Sequence, residues 1–150
     1  IEEITERYDD GKSKIIKYYN EVGKNKKLLK IIQYFPNGQI ELELNIIDGN
    51  KNNYKQTHYY ESGKVKVEGN YKDGKEDGKW ISYYENGQIE WKVDMIDGEM
   101  SGRWISYWNN GKIYNEGNVK NGKNEGKWTF YNEDGSIEKV EEYKDGELVE

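Results

Sequence analysis

Residues 83–106 read YYENGQIEWKVDMIDGEMSGRWIS, and residues 107–130 read YWNNGKIYNEGNVKNGKNEGKWTF. Residues 59–82, YYESGKVKVEGNYKDGKEDGKWIS, carry the same landmarks one step earlier. Glycines recur 24 residues apart as Gly63, Gly87, Gly111 and Gly135, with Gly74, Gly98, Gly122 and Gly146 between them. A third series, Gly78, Gly102 and Gly126, stands two residues before Trp80, Trp104 and Trp128. A fixed period of this length marks a repeat architecture in which each unit buries its apolar face against its neighbours.

Within a copy the glycines separate two strand-like runs. From Gln88 to Met95 the apolar Ile89, Trp91, Val93 and Met95 alternate with polar residues, the period of a strand with one wet face. That run closes at Asp97-Gly98, a dipeptide suited to a tight hairpin turn. Arg103 to Trp108 is the second run, and it closes at Asn109-Asn110-Gly111. The sequence therefore predicts an all-β chain: tandem β-hairpin repeats of period 24 in an elongated, single-layer antiparallel meander of about ten to twelve strands. Trp80, Trp104 and Trp128 should stack in register on one face with Tyr84 and Trp108, and Tyr83, Tyr107 and Tyr131 should line the other.

Outward from these copies the pattern loosens. Residues 34–58 form a copy with Asn52-Asn53-Tyr54 in place of Gly-Lys-Trp, and its lone proline, Pro36, sits in a turn where its fixed φ is useful. Residues 1–33 read as a degenerate first copy, with a turn at Tyr8-Asp9-Asp10-Gly11, a strand from Ile15 to Tyr19 and a turn at Val22-Gly23. The β-branched pair Ile31-Ile32 makes the run from Lys27 to Phe35 a strand rather than a helix. Residues 131–150 are a partial last copy whose Glu-rich end suits a polar cap. All of it forms one domain, 1–150.

Composition supports β structure and removes several functions. Only 33% of residues are hydrophobic against 35% charged, a balance that approaches disorder, but 5 Trp, 14 Tyr and 2 Phe bring large rings. There is no alanine, and the 17 glycines fall mostly at turns, against helix. With no cysteine, thiolate metal sites and disulfides are excluded. A net charge of −6 offers no footprint for nucleic acid or an anionic membrane, and no apolar run approaches the ~18 residues of a span. The chain begins at Ile1, which leaves room for a removed N-terminal segment such as an export signal. An exported or cell-surface location is favoured over a cytoplasmic one.

Candidate chemistry thins out on inspection. His58, the single histidine, has no second histidine to share a metal and would have to serve alone in any Ser-His-Asp arrangement. The turn from Lys72 to Gly78 has Lys75 at what would be a ligand position of a calcium loop and lacks the closing Glu. Paired carboxylates such as Glu141-Glu142 fall in polar segments. No catalytic, cofactor or metal residue is assigned. What remains is the aromatic ladder, with more rings than one thin sheet can hide. Tyr84, Trp91, Trp104 and Trp108 are the expected anchors for a protein partner. Self-association through a sheet edge is the simplest version of such pairing.

The unit YYENGQI…DG…GRWIS resembles the MORN-repeat family, in its bacterial variant, over residues 34 to 148 and loosely over 1 to 33. That resemblance implies hairpins stacked into a curved sheet used for protein association and scaffolding, with lipid contact proposed for some members. Its bacterial members are often labelled antitoxin-like or occur as exported proteins. An alternative resemblance is to choline-binding cell-wall repeats, whose ligand lies in an aromatic cage. Here a Ser or Phe separates the Trp from the Tyr of their usual cluster.

Overall fold

The computed structural model describes residues 1–22 and 25–149, and the chain divides into two compact units, Ile1–Lys75 and Glu76–Glu150. The first contains β1 (Glu2–Arg7), β2 (Ser13–Val22), β3 (Asn25–Tyr34), β4 (Ile40–Ile47), β5 (Asn50–Tyr59) and β6 (Val65–Lys72). The second contains β7 (Lys75–Tyr83), whose first residue closes the preceding unit, β8 (Ile89–Ile96), β9 (Glu99–Tyr107), β10 (Ile113–Lys120), β11 (Lys123–Tyr131), β12 (Ile137–Lys144) and β13 (Glu147–Leu148). Within each unit every strand pairs antiparallel with its chain neighbours, so both are meanders of hairpins. The all-β hairpin-repeat architecture is as the sequence predicts.

Thirteen strands among the described residues exceed the ten to twelve expected. β1 and the two-residue β13 are the strands least visible in sequence, because every position in both is exposed and no burial alternation marks them. The Gly23 half of the expected Val22-Gly23 turn lies outside the described residues, as does Glu150. The run through Leu28 and Ile32 is a strand, β3, as its β-branched pair suggests.

Two turn types alternate. Asp73-Gly74, Asp97-Gly98, Asn121-Gly122 and their counterparts have positive φ at both residues, for instance 53° at Asp97 and 88° at Gly98. That is the type I′ geometry, and Asp or Asn followed by Gly tolerates it best. The Gly98 amide then donates 3.0 Å to the Glu76 carbonyl of the previous hairpin, and Gly122 does the same to Met100. The other turns are four-residue: the Gly87 amide donates to Tyr84 O at 2.8 Å, and Asn86 Oδ1 accepts from the Gln88 amide at 2.9 Å. Asp10, Asn37, Asn110 and Asp134 repeat that side-chain bond.

The third glycine series has a role that its spacing alone did not disclose. Between the pairs Lys92↔Ile105 and Asp94↔Ser101, one β8 residue faces three of β9, Gly102 to Trp104. Gly102 sits at φ 91° and Gly126 at 70° in the equivalent place, where β11 sets Gly126 to Trp128 against Gly117. Gly-x-Trp is thus a β-bulge that needs a left-handed residue and re-aims the indole. At Asn50–Tyr54 the irregularity differs: β4 and β5 shift register right beside the turn.

The sheets are thin. Ile32, Trp80, Val93, Ile105, Val119 and Trp128 are the buried apolar residues, yet no described side chain is less than 2% exposed.

Candidate functional site

In the second unit, cross-strand register assigns one face to Trp80, Trp91, Val93, Trp104, Gly117 and Trp128. The indoles do not form a single stack as expected. Trp104 stacks instead on Trp91 of the adjacent strand, centroids 5.5 Å apart and planes 16° from parallel. The bulge causes this, since it carries Trp104 toward β8 rather than along the 24-residue axis. Trp128 lies over Gly117, whose missing side chain leaves room: a Cβ there would stand 2.3 Å from the indole Cδ2. Tyr143 meets Trp128 edge-on at 6.3 Å.

Polar atoms fix the ring orientations. Trp104 Nε1 donates to Asn115 Oδ1 at 2.9 Å, and Ser106 Oγ donates to the same oxygen at 2.8 Å. Trp128 Nε1 donates to the Asn118 carbonyl at 3.1 Å. Two hollows flank Trp104. One, about 310 Å³, is lined by Trp80, Trp91, Val93 and Met95, with Glu76 its only charged member. The other, about 480 Å³, is lined by Val119, Trp128, Phe130 and Tyr143 with polar but uncharged Asn115 and Asn124. Met100 and Trp104 belong to both, and Met100 is 40% exposed.

The expected anchors therefore separate into two pairs. Trp91 and Trp104 meet at the smaller hollow. Tyr84 and Trp108 lie just past strand ends, where they hold one repeat to the next: Tyr84 OH donates to Tyr107 O at 2.6 Å and Trp108 Nε1 to Tyr131 O at 3.1 Å. Tyr8 makes the same bond to Tyr34 O, 2.6 Å, in the first unit. Met100, Val119, Phe130 and Tyr143 line the site without having been singled out from sequence. Their signal was available in the alternation of β9 to β12, but only cross-strand register shows which of them meet.

Across the sheet the other face is charged. Arg103 Nη2 lies 2.5 Å from Glu116 Oε2, and Tyr131 OH donates to Glu116 Oε1 at 2.8 Å. Those two bonds, the guanidinium's first, hold the Glu116 carboxyl below its usual range. Lys92 Nζ stands over the Tyr107 ring at 5.7 Å, so this tyrosine series faces away from the indoles, as expected. In the first unit His58 Nε2 lies 2.8 Å from Gln56 Nε2, and burial lowers its pKa. Among the described residues no group of three or more His, Asp and Glu is placed to hold a metal.

Charge is divided unevenly. Residues 76–150 carry 17 acidic and 9 basic side chains, a net of −8, whereas residues 1–75 carry 12 and 14, a net of +2. All five tryptophans belong to the acidic half.

The chain matches the family described as MORN repeat variant over residues 25–48, 55–73, 76–92, 100–121 and 124–145. No curated protein matches it. Among solved structures, the crystal structure of TarM aligns with a TM-score of 0.42 and 11% identity, over 71% of this chain and 21% of that one. The chain thus spans about a fifth of that structure's length, and the likeness says nothing of activity.

Proposed function

The chain belongs to the MORN repeat variant family, and from that premise we propose that it is a non-catalytic repeat scaffold that holds a protein partner against the aromatic face of its second unit. The observation that carries this is the pair of adjoining apolar hollows divided by Trp104 and the exposed Met100. Pockets that receive a partner's side chains, walled by rigid indoles, are where interface energy concentrates. Trp91 and Trp104 are the contact residues in this reading; Tyr84 and Trp108 contribute by fixing the repeats that carry them. Such a scaffold suits an antitoxin-like or an exported interaction protein, acting by covering a surface rather than by chemistry.

The choline-type alternative asks for ring faces arranged around a cation. Trp91 and Trp104 turn their faces to each other instead, which favours the protein partner. The test is titration at physiological salt against candidate proteins encoded beside this one, choline, nucleic acid and anionic vesicles, together with sedimentation for self-association. Binding of a protein or a second copy that is lost in Trp104→Ala supports the scaffold. Tight choline or vesicle binding lost in the same variant overturns it.

A further inference from the structure

Resting on that reading, we propose that the segment the second unit receives is a cationic amphipathic helix, with apolar residues i and i+7 entering the two hollows and residue i+3 or i+4 lying on the ridge between them. The hollows occupy equivalent places one repeat apart, which is two strands, or roughly 9–10 Å. Seven residues of helix rise about 10.5 Å and return to the same face. An extended segment returns to one face every second residue, at about 6.7 or 13.4 Å, and fits neither hollow when placed in the other. The ridge is Met100 and Trp104, lining residues of both hollows. Methionine there adapts to whichever apolar side chain lies across it.

Charge decides the sign of the helix. The hollows between them have a single charged lining residue, Glu76, and are otherwise apolar apart from Asn115, Asn124 and the Tyr143 hydroxyl, while the unit as a whole carries a net −8. Asp97, exposed on the β8–β9 turn, is close in sequence to Met100, and Lys139, whose Nζ stands 4.7 Å over the Phe130 ring, is paired with Glu141. A helix with an apolar stripe and flanking Lys or Arg matches this arrangement, and an acidic one is repelled by it. The same charge repels an anionic membrane, which otherwise competes for cationic helices as partner.

The experiment uses the full chain and two synthetic peptides with Leu at i, i+3 and i+7, identical except that one has Lys and the other Glu at the flanking positions. Tryptophan emission reports binding, since every tryptophan is in the second unit. The Lys peptide should bind at least tenfold more tightly than its Glu twin and lose at least fivefold in affinity between 50 and 300 mM salt. Met100→Lys should weaken it a further tenfold or more without shifting the urea midpoint, whereas Asn109→Lys, the same charge change at an exposed turn, should cost less than twofold. Equal binding of the Glu twin, or equal effects of the two lysine variants, overturns the proposal. So does a period-two peptide that binds better than the helical one. If neither peptide binds while a candidate protein still does so in a Trp104-dependent way, the helix fails and the scaffold stands. Candidate binding that survives both Trp104→Ala and Met100→Lys removes the scaffold reading as well.

Discussion

The two units share a backbone and differ on one face. Both use Asp-Gly type I′ turns, four-residue turns closed by a glycine, and ring-to-carbonyl bonds between repeats. Both build the same trio on the charged face: Lys30–Glu43–Tyr59 in the first, at 3.5 and 3.1 Å, and Arg103–Glu116–Tyr131 in the second, at 2.5 and 2.8 Å. On the opposite face the first unit presents Ile31, Leu42 and Leu44 with Gln33, Gln56 and His58, where the second presents indoles. Turns and bulges thus set the fold, and residues on one face remain free to set what it touches. That separation is why a strong fold signal came with a weak functional one.

The largest break in the comparison should come from the buried indole. Trp128 is 5% exposed and packs on Gly117 and Tyr143, so Trp128→Ala should cost about 3–5 kcal/mol, the loss for a large buried ring. Because stability in a repeat array is a sum of local and neighbour terms, the loss should fall on the second unit. Urea unfolding followed by tryptophan emission should shift to lower denaturant, while far-UV circular dichroism keeps a later component from the first unit. Coincident curves in the variant would show that the two regions melt as one.

Gly117→Ala sharpens the same point at lower cost. The new Cβ meets the Trp128 ring at 2.3 Å, so the indole must move, and overpacking of this kind costs roughly 1–3 kcal/mol. In the background of Trp128→Ala the clash is gone and the glycine substitution should be close to neutral, a coupling that a double-mutant cycle reads directly. Additive effects would mean that Gly117 is needed for its backbone and not for the ring above it.

Much of this fold is legible in residues alone, and the limit is specific. Asp97-Gly98 announces its turn because few other dipeptides accept positive φ at both positions. The alternation from Ile89 to Met95 announces β8 because a half-buried strand has no other economical pattern. Gly102 announces something, but a bulge is a relation between two strands, and its spacing to Trp104 does not say which residue of β8 is passed over. The stack of Trp104 on Trp91 follows from that missing relation, and so does the separation of the four expected anchors into two pairs. β1 is hidden for another reason: all six of its residues are exposed, so nothing in its polarity distinguishes it from a loop.

The staple role of Tyr84 and Trp108 can be separated from a contact role. Tyr84→Phe keeps the ring and removes one hydrogen bond to the Tyr107 carbonyl, so it should cost about 0.5–1.5 kcal/mol in urea melts. Partner affinity, normalised for folded protein, should change less than twofold, whereas Trp91→Ala should weaken it at least tenfold. A Tyr84→Phe variant with wild-type stability and poor binding would return this tyrosine to the interface.

The smallest effect tests the face the two units have in common. The Arg103 guanidinium and then the Tyr131 hydroxyl hold the Glu116 carboxyl below its ordinary value. A carboxyl whose folded pKa is depressed adds stability that is complete above its unfolded value, near 4.3, and disappears as pH falls through the folded one. Wild type should therefore lose slightly more stability than Glu116→Gln between pH 5 and pH 3. Arg103 is 66% exposed, so water screens the pair, and the difference should stay at a fraction of the ~0.2–1 kcal/mol typical of surface ion pairs. Raising salt to 1 M shortens the screening length to about 3 Å and should shrink the difference further. Paired urea melts of the two proteins at pH 7, 5, 4 and 3 measure it. A gap between them that is constant across that range would leave Glu116 with a packing role only, and would deny the charged face any part in setting how the second unit responds to acid.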